Sequence, residues 1–180
     1  SETNCKEFLR PYLAEAVASV CGDDVELCAV CVAKGMEFLN APYETIQKVT
    51  EDLVRSDGER YCFSKSQEEV DTLLWEAQLK YVFPLVENYR RYFVKKYYDF
   101  IKAALPINNG YGDQVMVPEE AELGNLMYLV ERGGIPVSAE ESMELKRYRK
   151  ARNELAHMNL LSNEELCVIL KAGKHKTASD

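Results

Sequence analysis

The chain has 180 residues, 47% of them hydrophobic, with 22 Lys and Arg against 30 Asp and Glu and a formal net charge of -8. That is enough apolar content for one core in one domain of ordinary size, and no apolar run approaches the roughly 18 residues that a membrane span requires. An acidic balance argues against a protein that coats nucleic acid non-specifically, while leaving room for a local basic groove on an acidic body.

Thr3 or Asn4 can cap a first helix running to about Val20. Its apolar positions Leu9, Tyr12, Leu13, Ala16, Val17 and Val20 step by three and four. Pro11 either kinks this helix or marks its true first turn. Cys21-Gly-Asp-Asp24 stops it and caps a second, over about residues 25–39, with Leu27, Val30, Cys31, Phe38 and Leu39 inward. Pro42 opens a third, with Tyr43, Ile46, Val49 and Leu53 on its buried face, and Ser56-Asp57-Gly58 ends it. Adjacent short helices invite a helix-turn-helix reading, but residues 43–57 offer few basic groups to meet phosphate.

The cysteines are Cys5, Cys21, Cys28, Cys31, Cys62 and Cys167. A chain this long, with no basic-then-apolar leader, is expected to keep them as free thiols in a reducing cytoplasm. Cys28 and Cys31 form a CxxC that Cys21 or Cys62 could complete as a zinc site. Against that, no second CxxC lies downstream, and Val30 and Val32 make the segment read as buried helix with core cysteines. No metal or cofactor is expected. No βαβ pattern surrounds the pair, which argues against thioredoxin-like chemistry.

Ser66-Gln-Glu-Glu69 is a capping box opening the longest helical pattern in the chain. Val70, Leu73, Leu74 and Ala77 carry its stripe towards Tyr81. Pro84 then kinks or divides it, and the stripe resumes at Val86, Tyr89, Phe93, Tyr97 and Phe100. Arg90, Arg91, Lys95 and Lys96 interleave with the tyrosines, a pattern that suits single-stranded nucleic acid or an ordinary solvated flank. Residues 105–113 read as a turn-rich loop, and Val115-Met-Val117 is too short for a strand. Pro118 starts a helix through Leu123, Leu126, Met127 and Val130 to Gly133-Gly134. A second capping box, Ser138 with Glu141, launches the next, and Ser162 with Glu165 caps a short last helix with Leu166, Ile169 and Leu170 inward. Residues 171–180 are expected to be a flexible tail. The fold class that follows is all-α, an antiparallel helical bundle with a long kinked central helix, in one domain over residues 1–170.

Chemistry concentrates late in the chain. His157 is one of two histidines, and the other, His175, falls in the expected tail. An imidazole titrates near neutral pH, so His157 is the group best suited to move a proton. Arg152 ends Lys146-Arg-Tyr-Arg-Lys-Ala-Arg152, in which five of seven residues are basic. A guanidinium to hold phosphate and an imidazole to move a proton are what phosphodiester chemistry needs. At about 100° per residue Asn153 and His157 share a helix face, while Arg152 and His157 lie about 140° apart. They converge only if the helix loosens near His157, where Asn159 and Ser162 are stop signals, or if a second subunit completes the site. Lys146, Arg147, Arg149 and Lys150, with Arg90, Arg91 and Lys95, are the candidate RNA contacts. No glutamate pair shows ligand spacing such as E-x-x-H.

Arg152-Asn153-Glu-Leu-Ala-His157 resembles R-N-x-x-x-H, the signature of the HEPN superfamily (higher eukaryotes and prokaryotes nucleotide-binding domains). The motif spans six residues, and the resemblance widens because that family is all-helical with the motif late in sequence. What it implies is metal-independent RNA cleavage by a homodimer whose two motifs face one groove. Arg152 would stabilise transition-state charge, His157 would serve as general base or acid, and Asn153 would orient His157 or bond phosphate. Families of this kind include toxins of toxin–antitoxin pairs, restrained by an inhibitory partner, and antiviral defence effectors. Others are non-catalytic modules binding a nucleotide or a protein partner within larger proteins, which is the alternative reading here.

Overall fold

A computed structural model of the chain describes residues 5–108 and 114–177, with side chains through Gly173. The described residues form an all-α fold of nine α-helices, two short 3₁₀ turns and one pair of two-residue strands. The chain divides into two compact units, Ser1–Val82 with Leu155–Asp180, and Phe83–Glu154. No helix of the described residues is long and apolar enough to cross a membrane.

The first unit holds α1 (Arg10–Cys21), α2 (Val25–Lys34), α3 (Met36–Asn40), α4 (Pro42–Asp52), the start of α5 (Gln67–Lys96), the end of α8 (Ala139–Ala156) and α9 (Asn163–Thr177). A 3₁₀ turn over Glu7–Leu9 leads into α1 and puts Pro11 in its first turn, where a missing N–H costs no helical bond. The cap expected at Thr3 or Asn4 lies outside the described residues. The whole expected face of α1, from Leu9 to Val20, is buried.

Residues 25–39 are not one helix. Gly35, at φ 58°, ends α2 and starts α3, a conformation that a glycine adopts without the Cβ penalty. Helix α4 stops at Asp52, four residues before the expected Ser56, and Leu53 turns extended. Val54 and Arg60 then pair as an isolated antiparallel bridge closed by a turn through Gly58. Asp24 holds this segment in place. Its carboxylate caps α2 through the Leu27 N–H at 3.0 Å, pairs with Arg55 at 2.6 Å and accepts from the Tyr61 hydroxyl. The expected boundary at Lys171 is also passed, because α9 runs on to Thr177.

Helix α5 runs through Pro84 without dividing. Proline there removes one backbone hydrogen bond, but Phe83 and Pro84 face solvent, so water can take the freed carbonyl. The second unit holds the rest of α5, α6 (Tyr98–Ala103), β1 (Ile107–Asn108), β2 (Gln114–Val115), α7 (Leu123–Glu131) and most of α8. The strand pair, antiparallel with Ile107 opposite Val115, was not expected at that length. Tyr89 of α5 stacks on Tyr148 of α8 with ring centroids 4.1 Å apart, and burial pushes the Tyr148 hydroxyl up to about 12. Phe100, expected inward, is 47% exposed, because α5 ends at Lys96 and α6 restarts beyond Tyr97. Glu141 caps α8 with Ser138 and also accepts from Lys96 and Tyr97.

The Leu27 N–H, the Tyr61 hydroxyl and the Arg55 guanidinium together hold the Asp24 carboxyl at about 2, below its ordinary 3.8. A depressed carboxylate contributes stability that is in place above its unfolded value and is lost as pH falls through the folded one. Stability should therefore drop between pH 3.8 and about 2. Asp24→Asn should flatten that part of the profile, read by urea denaturation across the same range.

Candidate functional site

Helix α8 forms because Leu145, Tyr148, Ala151 and Leu155 recur at three and four residues and are all buried. The other side carries Lys146, Arg147, Arg149 and Lys150, all exposed. Lys146, Arg147 and Arg149 pair with no carboxylate among the described residues. Arg152 is exposed too, and its only partner among the described residues is Asn153, whose side-chain oxygen accepts at 3.5 Å. That is a long contact, and it leaves most of the guanidinium's donors free. Glu141, at the start of the same helix and about 16 Å along its axis from Arg152, pairs with Lys96. That pair, with the Ser138 N–H, holds the Glu141 carboxyl at about 2.

Arg152 and Asn153 lie in the second unit and His157 in the first. Helix α8 ends at Ala156, so the register that would put positions 153 and 157 on one face stops one residue short of His157. His157 is exposed, and no described residue hydrogen-bonds to it. The loop that carries it is nevertheless fixed at both ends. Before His157, the Leu155 carbonyl accepts both the Met158 N–H at 3.2 Å and the Trp75 indole N–H at 2.8 Å. After it, the Gln78 amide takes both backbone groups of Leu161. Its nitrogen donates to the Leu161 carbonyl at 3.1 Å, and its oxygen accepts the Leu161 N–H at 2.8 Å. The same amide nitrogen donates to the Tyr12 hydroxyl at 3.3 Å. Ser162 and Glu165 then close a capping box on α9. Between these anchors Met158 turns at φ 60°, a conformation side chains rarely adopt, and residues 157–160 all face solvent.

The cations of α5 are sorted differently. Arg90 is committed within the second unit, donating to Glu87 and to the carbonyls of Glu119 and Ala121. Arg91 pairs with Glu87 at 2.8 Å but stays exposed, while Lys95 is exposed without a partner among the described residues. The side chain of His175 lies outside those described. Cys21 and Cys31 are buried, Cys28 donates to the Gly22 carbonyl at 3.6 Å, and all six thiols are free. No group of three His, Cys, Asp or Glu among the described residues could hold a metal ion.

Trp75 and Gln78 escaped the sequence reading. The one signal for Gln78 was a polar residue next to the apolar stripe of α5, beside Ala77 and one turn beyond Leu74. No protein-family model matches this chain, and neither does any curated protein or solved structure. Gln78 is 3% exposed, so Gln78→Leu would bury two backbone groups of Leu161 without partners. The expected loss is about 2–4 kcal/mol of unfolding free energy, measured by urea denaturation.

Proposed function

We propose that the chain is a HEPN-like endoribonuclease, of the toxin or antiviral defence kind, acting as a homodimer. The observation that carries this reading is the state of the motif's own side chains. Arg152 and His157 are exposed and uncommitted among the described residues, and the imidazole sits on a loop whose backbone is anchored on both sides. An exposed imidazole that no described residue bonds is open to a substrate, and the anchored flanks fix where its backbone stands.

In the proposed reaction His157 takes the proton from a ribose 2′-hydroxyl, and the oxygen attacks the adjacent phosphorus. Negative charge grows on the non-bridging oxygens, where the Arg152 guanidinium stabilises it. The bond to the 5′-oxygen breaks, and that oxygen takes a proton from a second acid, His157 of the partner subunit or water. The products are a 2′,3′-cyclic phosphate and a free 5′-hydroxyl. Asn153 bonds the phosphate or steadies Arg152, and Lys146, Arg147, Arg149, Lys150, Arg91 and Lys95 offer contacts to the RNA backbone. Arg90 is left out of this set because its donors are already engaged.

A second reading has its own support. Met158 is 62% exposed and Leu160 39% exposed, beside His157 on the same anchored loop. Two apolar side chains presented this way suit a protein partner, the role of a non-catalytic helical module.

Cleavage assays on structured and single-stranded RNA in EDTA separate the two. The nuclease reading expects 2′,3′-cyclic phosphate ends with activity preserved. His157→Ala should lower the rate by about 10²–10⁴-fold and Arg152→Ala by about 10²–10³-fold, without lowering the thermal midpoint. Wild-type protein that leaves every RNA intact while binding a protein partner through Met158 and Leu160 would sink it.

A further inference from the structure

The first unit contains a groove of about 610 Å³ that the nuclease reading leaves unused. That volume falls within the roughly 300–1,000 Å³ typical of binding clefts. Tyr12, Leu39, Leu74 and Leu161 form a buried apolar floor. The rim carries the carboxylates of Glu44, Asp71 and Glu164, and no lysine or arginine lines the groove. All three carboxylates are exposed, and none bonds to a described residue. Glu44 and Glu164 stand in the first turns of α4 and α9, where a negative charge also suits the helix dipole. Asp71 lies beyond the first turn of α5 and has no such duty.

Charge over the wider unit points the same way. Residues 83–154 carry eleven basic and eleven acidic side chains, so the entire net charge of -8 belongs to the first unit. A polyanion is repelled from such a groove and a cationic ligand is drawn in. The groove is also preformed. The Asn163 amide donates to the Leu39 carbonyl and to the Asn40 side-chain oxygen, both at 2.9 Å, and Gln78 joins Tyr12 to Leu161 across the floor. Banks held in this way need little ordering on binding.

We propose that this groove docks a basic amphipathic peptide segment of a partner protein. Its apolar side chains seat on Tyr12, Leu39, Leu74 and Leu161, and its lysines or arginines meet Glu44, Asp71 and Glu164. The apolar floor favours a peptide over a polyamine, which has no side chain to bury there. None of these residues belongs to the R-N-x-x-x-H motif, so the proposal stands whether or not the chain cleaves RNA.

The test is fluorescence anisotropy with the full chain and a short fluorescein-labelled peptide of alternating leucine and lysine. Competitors are an all-lysine peptide, a leucine–glutamate peptide, spermine and a single-stranded RNA. Saturable binding is expected, weakened about tenfold or more by Asp71→Asn with Glu164→Gln, and by raised salt, but not by Lys146→Ala with Arg149→Ala. Circular dichroism checks that the double variant stays helical. Should it fail to fold, Asp71→Asn alone is expected to weaken binding by a smaller factor. Equal binding by wild type and the groove variants overturns the proposal. So does spermine, all-lysine peptide or RNA competing as well as the amphipathic probe.

Discussion

The buried amide of Gln78 is the interaction on which the functional end of the first unit depends. One side chain satisfies the N–H and the carbonyl of Leu161 and also reaches the Tyr12 hydroxyl. An amide can do this because it presents a donor and an acceptor together, whereas an aliphatic residue of the same size would bury the Leu161 peptide groups unpaired. Trp75 does the matching work at the other end, where its indole N–H caps the Leu155 carbonyl as α8 runs out. Loops on a surface are ordinarily the mobile part of a fold. Residues 157–160 combine exposure with anchored flanks, the combination that a reactive imidazole or a contact surface requires.

Much of the helical framework is legible because its signals are local. The three Ser-x-x-Glu sequences at Ser66, Ser138 and Ser162 each make reciprocal bonds within four residues, so sequence alone contains both partners. The buried faces of α1 and α8 follow from the 3.6-residue period, since Leu145, Tyr148 and Leu155 can share only one side. Gly35 was hidden because apolar residues continue on both sides of it, and periodicity cannot register a change of axis. The break before Phe100 was hidden for a related reason. A non-helical Tyr97 (φ -111°, ψ 23°) resets the register, and nothing in its identity announces that.

The site was legible in a narrower sense. Arg152, Asn153 and His157 stand out by type and spacing, but whether each is committed depends on residues distant in sequence. Arg90 and Lys95 look alike in the chain, yet Arg90 is claimed by carbonyls about thirty residues away, at Glu119 and Ala121. Glu141 behaves in the same manner near the start of α8, where its carboxylate is claimed by Lys96 and Tyr97 from more than forty residues earlier. Trp75 and Gln78 are the opposite case. Their importance comes chiefly from backbone groups some eighty positions later, so the chain offers no more than a polar Gln78 beside the α5 stripe as a local sign of it.

Net charge and local charge make different demands on this chain. A total of -8 sets a repulsive background for any polyanion, and it resides in the unit that carries His157. At physiological salt a charge is felt over only about 8 Å, so the exposed cations of α8 act chiefly through their own surroundings. An RNA would then be held only where cations are dense, along Lys146, Arg147, Arg149 and Lys150, and rejected elsewhere. Such a surface would sacrifice general affinity for nucleic acid. The same acidic background gives a cationic protein segment ready access to the first unit. On the proposed reading, RNA and a cationic protein segment would be sorted by the sign of their charge before any specific contact forms.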